Sequence, residues 1–197
     1  MRHQPSRIER MLALPAGDLW VFGYGSLMWR PGFPHLEARL ARLHGLHRAL
    51  CVWSWHHRGT PERPGLVMGL DRGGSVIGRA YRIAAVERAA VLDYLYDREM
   101  VTPVYQPRRR RLWIAGSVQP TVVFVVDRSH PQYAGRLTPE HAARVIQAGR
   151  GASGANPDYL AAMVAHLDEL GIHDPFLHRT QAALRALPSG TAQLHLE

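Results

Sequence analysis

Two stretches of this chain combine residue types and spacings that could do chemistry. The first is Trp20-Val21-Phe22-Gly23-Tyr24-Gly25-Ser26-Leu27-Met28-Trp29, an apolar run with two aromatics and a β-branched residue that breaks into a Gly-x-Gly-Ser turn. Such a run reads as a buried strand. Glycine has no Cβ to hold a bound group off the backbone and it reaches positive φ, so successive N–H groups can converge on a carboxylate or phosphate. A tight turn out of a core strand is the simpler reading of an isolated Gly-x-Gly. Three sharper motifs fail. A dinucleotide fingerprint needs a third glycine opening a helix, where Leu27-Met28-Trp29 and then Pro31 stand. A phosphate loop needs lysine, and the chain has none; a Gly-x-Ser-x-Gly elbow does not fit Gly23 to Leu27.

The second stretch is Val86 to Met100, where Ala89, Leu92, Leu95 and Tyr96 recur at helical spacing. One further turn of that face reaches Glu99. A carboxylate turned toward the core has its pKa raised by desolvation and becomes a proton carrier near neutral pH. The helix must end before Pro103, however, so a frayed Glu99 in water fits the spacing equally well.

Other polar groups read more plainly. His56-His57 sits in the proline-rich loop His56 to Gly65; adjacent histidines point apart on an extended chain and no Cys or carboxylate stands at ligand spacing, so no metal ligand is assigned. Arg108 to Arg111 on a strand divide between two faces, as on a solvated edge strand. Ser153, in the loop before Asn156, reads as a helix cap.

These residues need a scaffold, and 197 residues with 46% hydrophobic and 20% charged content suffice for one domain with a sizeable core. The net charge of +8, with all 24 basic residues arginine, favours anionic partners in general. Nucleic-acid binding is the competing reading from another class, but the arginines are scattered and lack interleaved aromatics. The single cysteine, Cys51, gives no disulfide framework, and no apolar run reaches membrane-span or signal-peptide length, so a cytoplasmic location and no membrane partner are expected. Residues 1–17 form an arm with a short peripheral helix over Ile8 to Leu14. A moderate strand or bent hairpin is expected over Arg39 to Ser54. Hairpins are predicted for Leu66–Leu70 with Val76–Ile83 around Asp71-Arg72-Gly73-Gly74, and for Tyr105–Ile114 with Val118–Val126. Five or six strands so joined make an antiparallel sheet or small barrel. The last third is helical, with Thr138-Pro139, Asn156-Pro157 and Asp174-Pro175 each placing a cap before a proline at the first helical position.

Taken together, several stretches resemble the ChaC family of glutathione-specific γ-glutamylcyclotransferases. They run in order from Val21 to Leu27 through Gly45-Leu46-His47-Arg48, Arg58-Gly59-Thr60, Pro64-Gly65-Leu66-Val67, Ala80-Tyr81 and Arg98-Glu99 to Tyr105 and Ser153 to Leu160. The resemblance implies an α+β fold, a γ-glutamylcyclotransferase-like small mixed β-barrel with flanking helices and a helical C-terminal third, filling residues 18–197 as one domain. It implies a catalytic Glu99. The substrate site would comprise Val21, Phe22, Gly23, Tyr24, Gly25, Ser26, Leu27, Arg48, Arg58 and Tyr105, with Arg48 or Arg58 pairing with a substrate carboxylate. The implied reaction converts glutathione to 5-oxoproline and cysteinylglycine without cofactor or metal; other γ-glutamyl amides are the close alternative. Two departures bear on the pocket wall: Thr102-Pro103-Val104 where a glycine often precedes the tyrosine, and Gly69 where threonine is common.

Overall fold

The computed structural model describes residues 5–101 and 103–188. These fall into two compact units, residues 5–53 with 67–101 and 103–136, and residues 54–66 with 137–188. The first unit opens with helix α1 (Arg7–Met11), started by a capping box in which Ser6 and Glu9 satisfy each other's backbone N–H. The arm is less peripheral than its composition suggests. Ile8 is fully buried in the main core cluster, and Glu9 lies 2.7 Å from Arg88.

Strands β1 (Leu19–Gly23), β2 (Glu37–Ser54), β3 (Gly65–Ile83), β4 (Tyr105–Ile114) and β5 (Ser117–Val126) form one curled half-barrel sheet in the order β2-β3-β1-β5-β4. β1 is buried at all five positions, antiparallel to β3 and parallel to β5, so the sheet is mixed rather than purely antiparallel. The β4–β5 hairpin forms as predicted. Its two turn residues, Ala115 and Gly116, both have positive φ, as a two-residue type I′ turn requires. Arg108 to Arg111 are exposed on β4, at the sheet edge.

The hairpin expected around residues 71–74 does not form. β3 runs through this stretch as one long strand, with Gly73 and Gly74 at positive φ absorbing a bend opposite His47 of β2. Asp71, read as a turn residue, is buried; its carboxylate accepts from Arg128 Nε at 2.6 Å and from the Tyr133 hydroxyl at 2.8 Å. These partners and Arg72 N–H hold its pKa below the usual carboxylate range against the upward push of burial. Gly69 is explained by packing, since a Cβ there would stand 2.8 Å from Cys51 Sγ. Thr102 lies outside the described residues, and its neighbour Val104 is fully buried.

Helix α2 (Arg88–Glu99) buries Arg88, Val91, Leu92 and Leu95 against the sheet core. Of the predicted stripe Leu92 and Leu95 are fully buried, while Ala89 and Tyr96 are half-buried.

The second unit holds α3 (Pro139–Ala148), the short hairpin β6 (Arg150–Gly151) and β7 (Gly154–Ala155), α4 (Asn156–Glu169) and α5 (Pro175–Ala186). Thr138 and Asp174 cap α3 and α5 as expected. Asn156 does not cap α4, whose N-cap is Ala155. Its carboxamide is fully buried, accepting from Leu66 N–H at 2.6 Å and donating to Leu66 C=O at 2.9 Å. Ser153 is not a cap either, and its Oγ lies 3.0 Å from His57 Nδ1.

Candidate active site

The Gly-x-Gly-Ser loop leaves β1 at Gly23 and turns at once into a single 3₁₀ turn, Ser26–Met28. Neither glycine has positive φ, contrary to the expectation; Gly25 sits at φ −123°. Their need is steric. A Cβ on Gly23 would stand 2.8 Å from Leu27 Cβ, whereas one on Gly25 would meet only Met68 Cβ at 3.8 Å. Gly23 therefore lets the loop fold onto itself, and Gly25 leaves its outer face open.

The carbonyls from Tyr24 to Met28 all accept from the protein. Arg48 Nε donates to Tyr24 C=O at 2.7 Å, Met28 N–H to Gly25 C=O at 2.9 Å, and Arg30 N–H to Ser26 C=O at 2.9 Å. The Tyr81 hydroxyl lies 2.8 Å from both the Leu27 and Met28 oxygens, and Arg79 donates to the latter at 3.1 Å. With the carbonyls tied back, the N–H groups of Gly25, Ser26 and Leu27, which have no partner within the turn, present a partial positive charge. N–H groups left over in this way are of the kind that can hold a carboxylate or a developing oxyanion.

Glu99 is the last residue of α2, one turn beyond buried Leu95, with its side chain 18% exposed. Burial pushes its carboxyl above the ordinary range, and Arg98 pulls less strongly the other way. Sequence reasoning passed over Arg98 itself. Its Nε lies 3.3 Å from Glu99 Oε1, Nη2 donates to Ser26 Oγ at 3.2 Å, and Nη1 donates to Arg30 C=O at 2.6 Å and Pro31 C=O at 3.0 Å. One guanidinium thus spans the carboxylate and the loop. Arg79 and Tyr81, two apart on β3 and so on one face, are the other contributors that sequence reasoning left without a role.

Of the remaining predicted site residues, Val21 and Phe22 are fully buried beneath the loop. Arg48 is nearly buried, and its Nη2 donates to Ile77 C=O at 2.8 Å, so its guanidinium braces the loop's backbone. Tyr105 donates to Met68 C=O at 2.7 Å, from the residue whose side chain faces Gly25. Arg58 belongs to the second unit, where it donates to Ala155 C=O at 3.1 Å and lies over the Tyr159 ring. His56 and His57 stack edge-on there, and burial holds the His57 pKa below its usual value.

This α+β arrangement is the γ-glutamylcyclotransferase fold. The crystal structure of a yeast γ-glutamylcyclotransferase specific to glutathione shares it at a TM-score of 0.77 and 23% identity, over 86% of this chain and 96% of that one. The chain belongs to the ChaC-like protein family, whose model matches residues 19–187. It is 35% identical over 172 residues to the glutathione-specific gamma-glutamylcyclotransferase of Escherichia coli (strain K12), covering 87% of this chain and 74% of the relative. It is 32% identical over 180 residues to glutathione-specific gamma-glutamylcyclotransferase 1 of Danio rerio, covering 86% and 90%. Among the described residues no helix is long and apolar enough to cross a membrane.

Proposed function

We propose that this chain is a glutathione-specific γ-glutamylcyclotransferase, a lyase that closes the γ-glutamyl group of glutathione to 5-oxoproline and releases cysteinylglycine. The observation that carries the reading is the pairing of a half-buried carboxylate of raised pKa, Glu99, with an N–H-lined glycine loop through the single Arg98 guanidinium. The α-amine of the substrate is protonated at neutral pH. Glu99 removes that proton, the freed amine attacks the γ-carbonyl, Glu99-H protonates the cysteinyl nitrogen as its C–N bond breaks, and the remaining extra proton of the attacking nitrogen is shed to leave the neutral lactam and the ammonium of cysteinylglycine. Folding the substrate so that amine and carbonyl meet supplies much of the acceleration.

The loop from Val21 to Leu27 binds the γ-glutamyl group, with the N–H groups of Gly25 to Leu27 on its carboxylate or on the developing oxyanion. Arg48 serves by holding that loop, and Tyr105 by fixing the Met68 wall beside Gly25. The catalytic domain on this reading is residues 18–197, with residues 1–17 an arm, and the enzyme works in the cytoplasm. Incubation of the purified chain with glutathione is expected to yield equimolar 5-oxoproline and cysteinylglycine, with γ-glutamylalanine turned over more slowly. Absence of 5-oxoproline would refute the assignment, and equal or reversed kcat/KM would move it to enzymes of other γ-glutamyl amides.

A further inference from the structure

The chemistry above leaves unused a cluster in the second unit, where α4 ends and α5 begins. Asp168 lies in the last turn of α4, His173 in the connection after Gly171, and His178 one turn into α5. Their ligand atoms all lie within 4.8 Å of one another. His178 Nε2 is 3.0 Å from Asp168 Oδ1 and 3.3 Å from Oδ2. The rings of His173 and His178 face each other at 4.3 Å between centroids.

Which nitrogen is available follows from a backbone contact. His178 Nδ1 lies 2.8 Å from Asp174 C=O, and a carbonyl can only accept, so Nδ1 carries the hydrogen. Nε2 is then the coordinating atom, and it is the one aimed at Asp168. A carbonyl behind the ring is the usual outer partner of a metal-bound histidine, fixing both tautomer and ring direction. Asp174, next to His173 in sequence, is engaged by Phe176 and Leu177 N–H as the α5 cap. Two donors bound tetrahedrally at about 2.0–2.1 Å stand roughly 3.3 Å apart, close to the His178–Asp168 separations. A hydrogen bond between His178 and Asp168 accounts for those two side chains but gives His173, whose ring lies against His178, no part in it. A shared cation accounts for all three.

We infer that Asp168, His173 and His178 form a binding site for a divalent cation of intermediate softness, Zn²⁺ or Co²⁺, through two imidazoles and one carboxylate. The set mixes nitrogen and oxygen donors, which suits such metals and disfavours the all-oxygen cations Mg²⁺ and Ca²⁺. Three protein ligands leave a fourth position for water, and partial exposure of Asp168 and His178 gives solvent access for loading. Bound there, the metal ties the end of α4 to the first turn of α5, independently of Glu99 and the loop.

The test is Co²⁺ titration of the full chain, followed by visible d–d absorption and thermal unfolding, with Zn²⁺ as competitor. Expected are one equivalent per chain, a Tm that rises with metal concentration, displacement by Zn²⁺, and affinity at least about tenfold weaker in each of His173→Ala, His178→Ala and Asp168→Asn. His173 is exposed, so its variant keeps the fold even should the other two be unstable. No saturable binding in the wild-type chain would overturn the inference, as would binding that His173→Ala leaves unchanged.

Discussion

Replacing Glu99 with glutamine removes one proton site while keeping the size and reach of the side chain. On the proposed mechanism the amide cannot accept the ammonium proton, so turnover of glutathione falls by about 10²–10⁴-fold, the usual worth of a positioned base, while binding survives. The structure adds a signature in pH. Burial raises the Glu99 carboxyl above the 4.5 of an ordinary glutamate, with Arg98 opposing. The acid limb of kcat/KM in the wild-type enzyme therefore lies above pH 4.5 and is absent from Glu99→Gln. Stability carries the same information with a definite sign. Below pH 4.5 both folded and unfolded carboxyls are protonated. From there up to the raised folded pKa the native state holds a proton that the unfolded chain has released, so stability from this group is lost as pH rises through that window. Each tenfold difference in proton affinity between the two states is worth about 1.4 kcal/mol. Glutamine has no such proton, so Tm of the variant minus Tm of the wild type should grow with pH across the window and then level off, provided the new N–H donors find acceptors. Turnover, glutathione binding and unfolding are measured on one preparation over a pH series. Near wild-type turnover in a folded Glu99→Gln would refute the base assignment, and a Tm difference flat in pH would refute the raised pKa.

Four further substitutions separate the site from its scaffold. Gly25→Ala is expected to fold normally, because its Cβ meets only Met68 Cβ at 3.8 Å, yet to weaken glutathione binding; Gly23→Ala is expected to lower Tm with or without ligand, because its Cβ lands 2.8 Å from Leu27 Cβ. Arg98→Lys cannot reach the loop and Glu99 together from one ammonium, so kcat/KM should fall by about 10–100-fold and its acid limb should move to higher pH as the lowering pull on Glu99 weakens. Asn156→Ala leaves the N–H and C=O of Leu66 without their buried partner and should cost about 2 kcal/mol or more in chemical denaturation, with the pH profile of turnover unchanged.

Much of this could be read from the residues because it depends on local rules. The apolar spacing of α2 and the breaking power of Pro103 place Glu99 at a helix end, and the β4–β5 turn declares itself by Gly116 between two β-rich runs. The failures share one cause. Asp71-Arg72-Gly73-Gly74 has turn chemistry, yet a carboxylate buried against Arg128 and Tyr133 holds the strand straight through it, and those partners are more than fifty residues away. Asn156 before a proline has cap chemistry, but its amide is taken by Leu66, ninety residues earlier. Arg98 between Asp97 and Glu99 looks like part of a solvated charge run. Two of its acceptors are the Arg30 and Pro31 carbonyls, groups that every residue carries and no sequence marks.

The loop shows why the candidate site depends on sheet register. Gly23 faces Arg79 and Val21 faces Tyr81 across the β1–β3 pair, and from those two rungs Arg79 and Tyr81 reach the Leu27 and Met28 carbonyls. Side chains alternate along a strand, so a slip of one residue would turn both to the opposite face and release the carbonyls they hold. The all-buried β1 opposes that slip, since on its neighbour β3 the same shift would exchange buried Tyr81 and Ile83 for half-exposed Arg82. The hydrophobic core thereby fixes the direction of the loop's N–H groups. The Gly-Tyr-Gly-Ser sequence takes this turn here because the strand beside it is locked in place by its apolar residues, with an arginine and a tyrosine two positions apart holding its carbonyls.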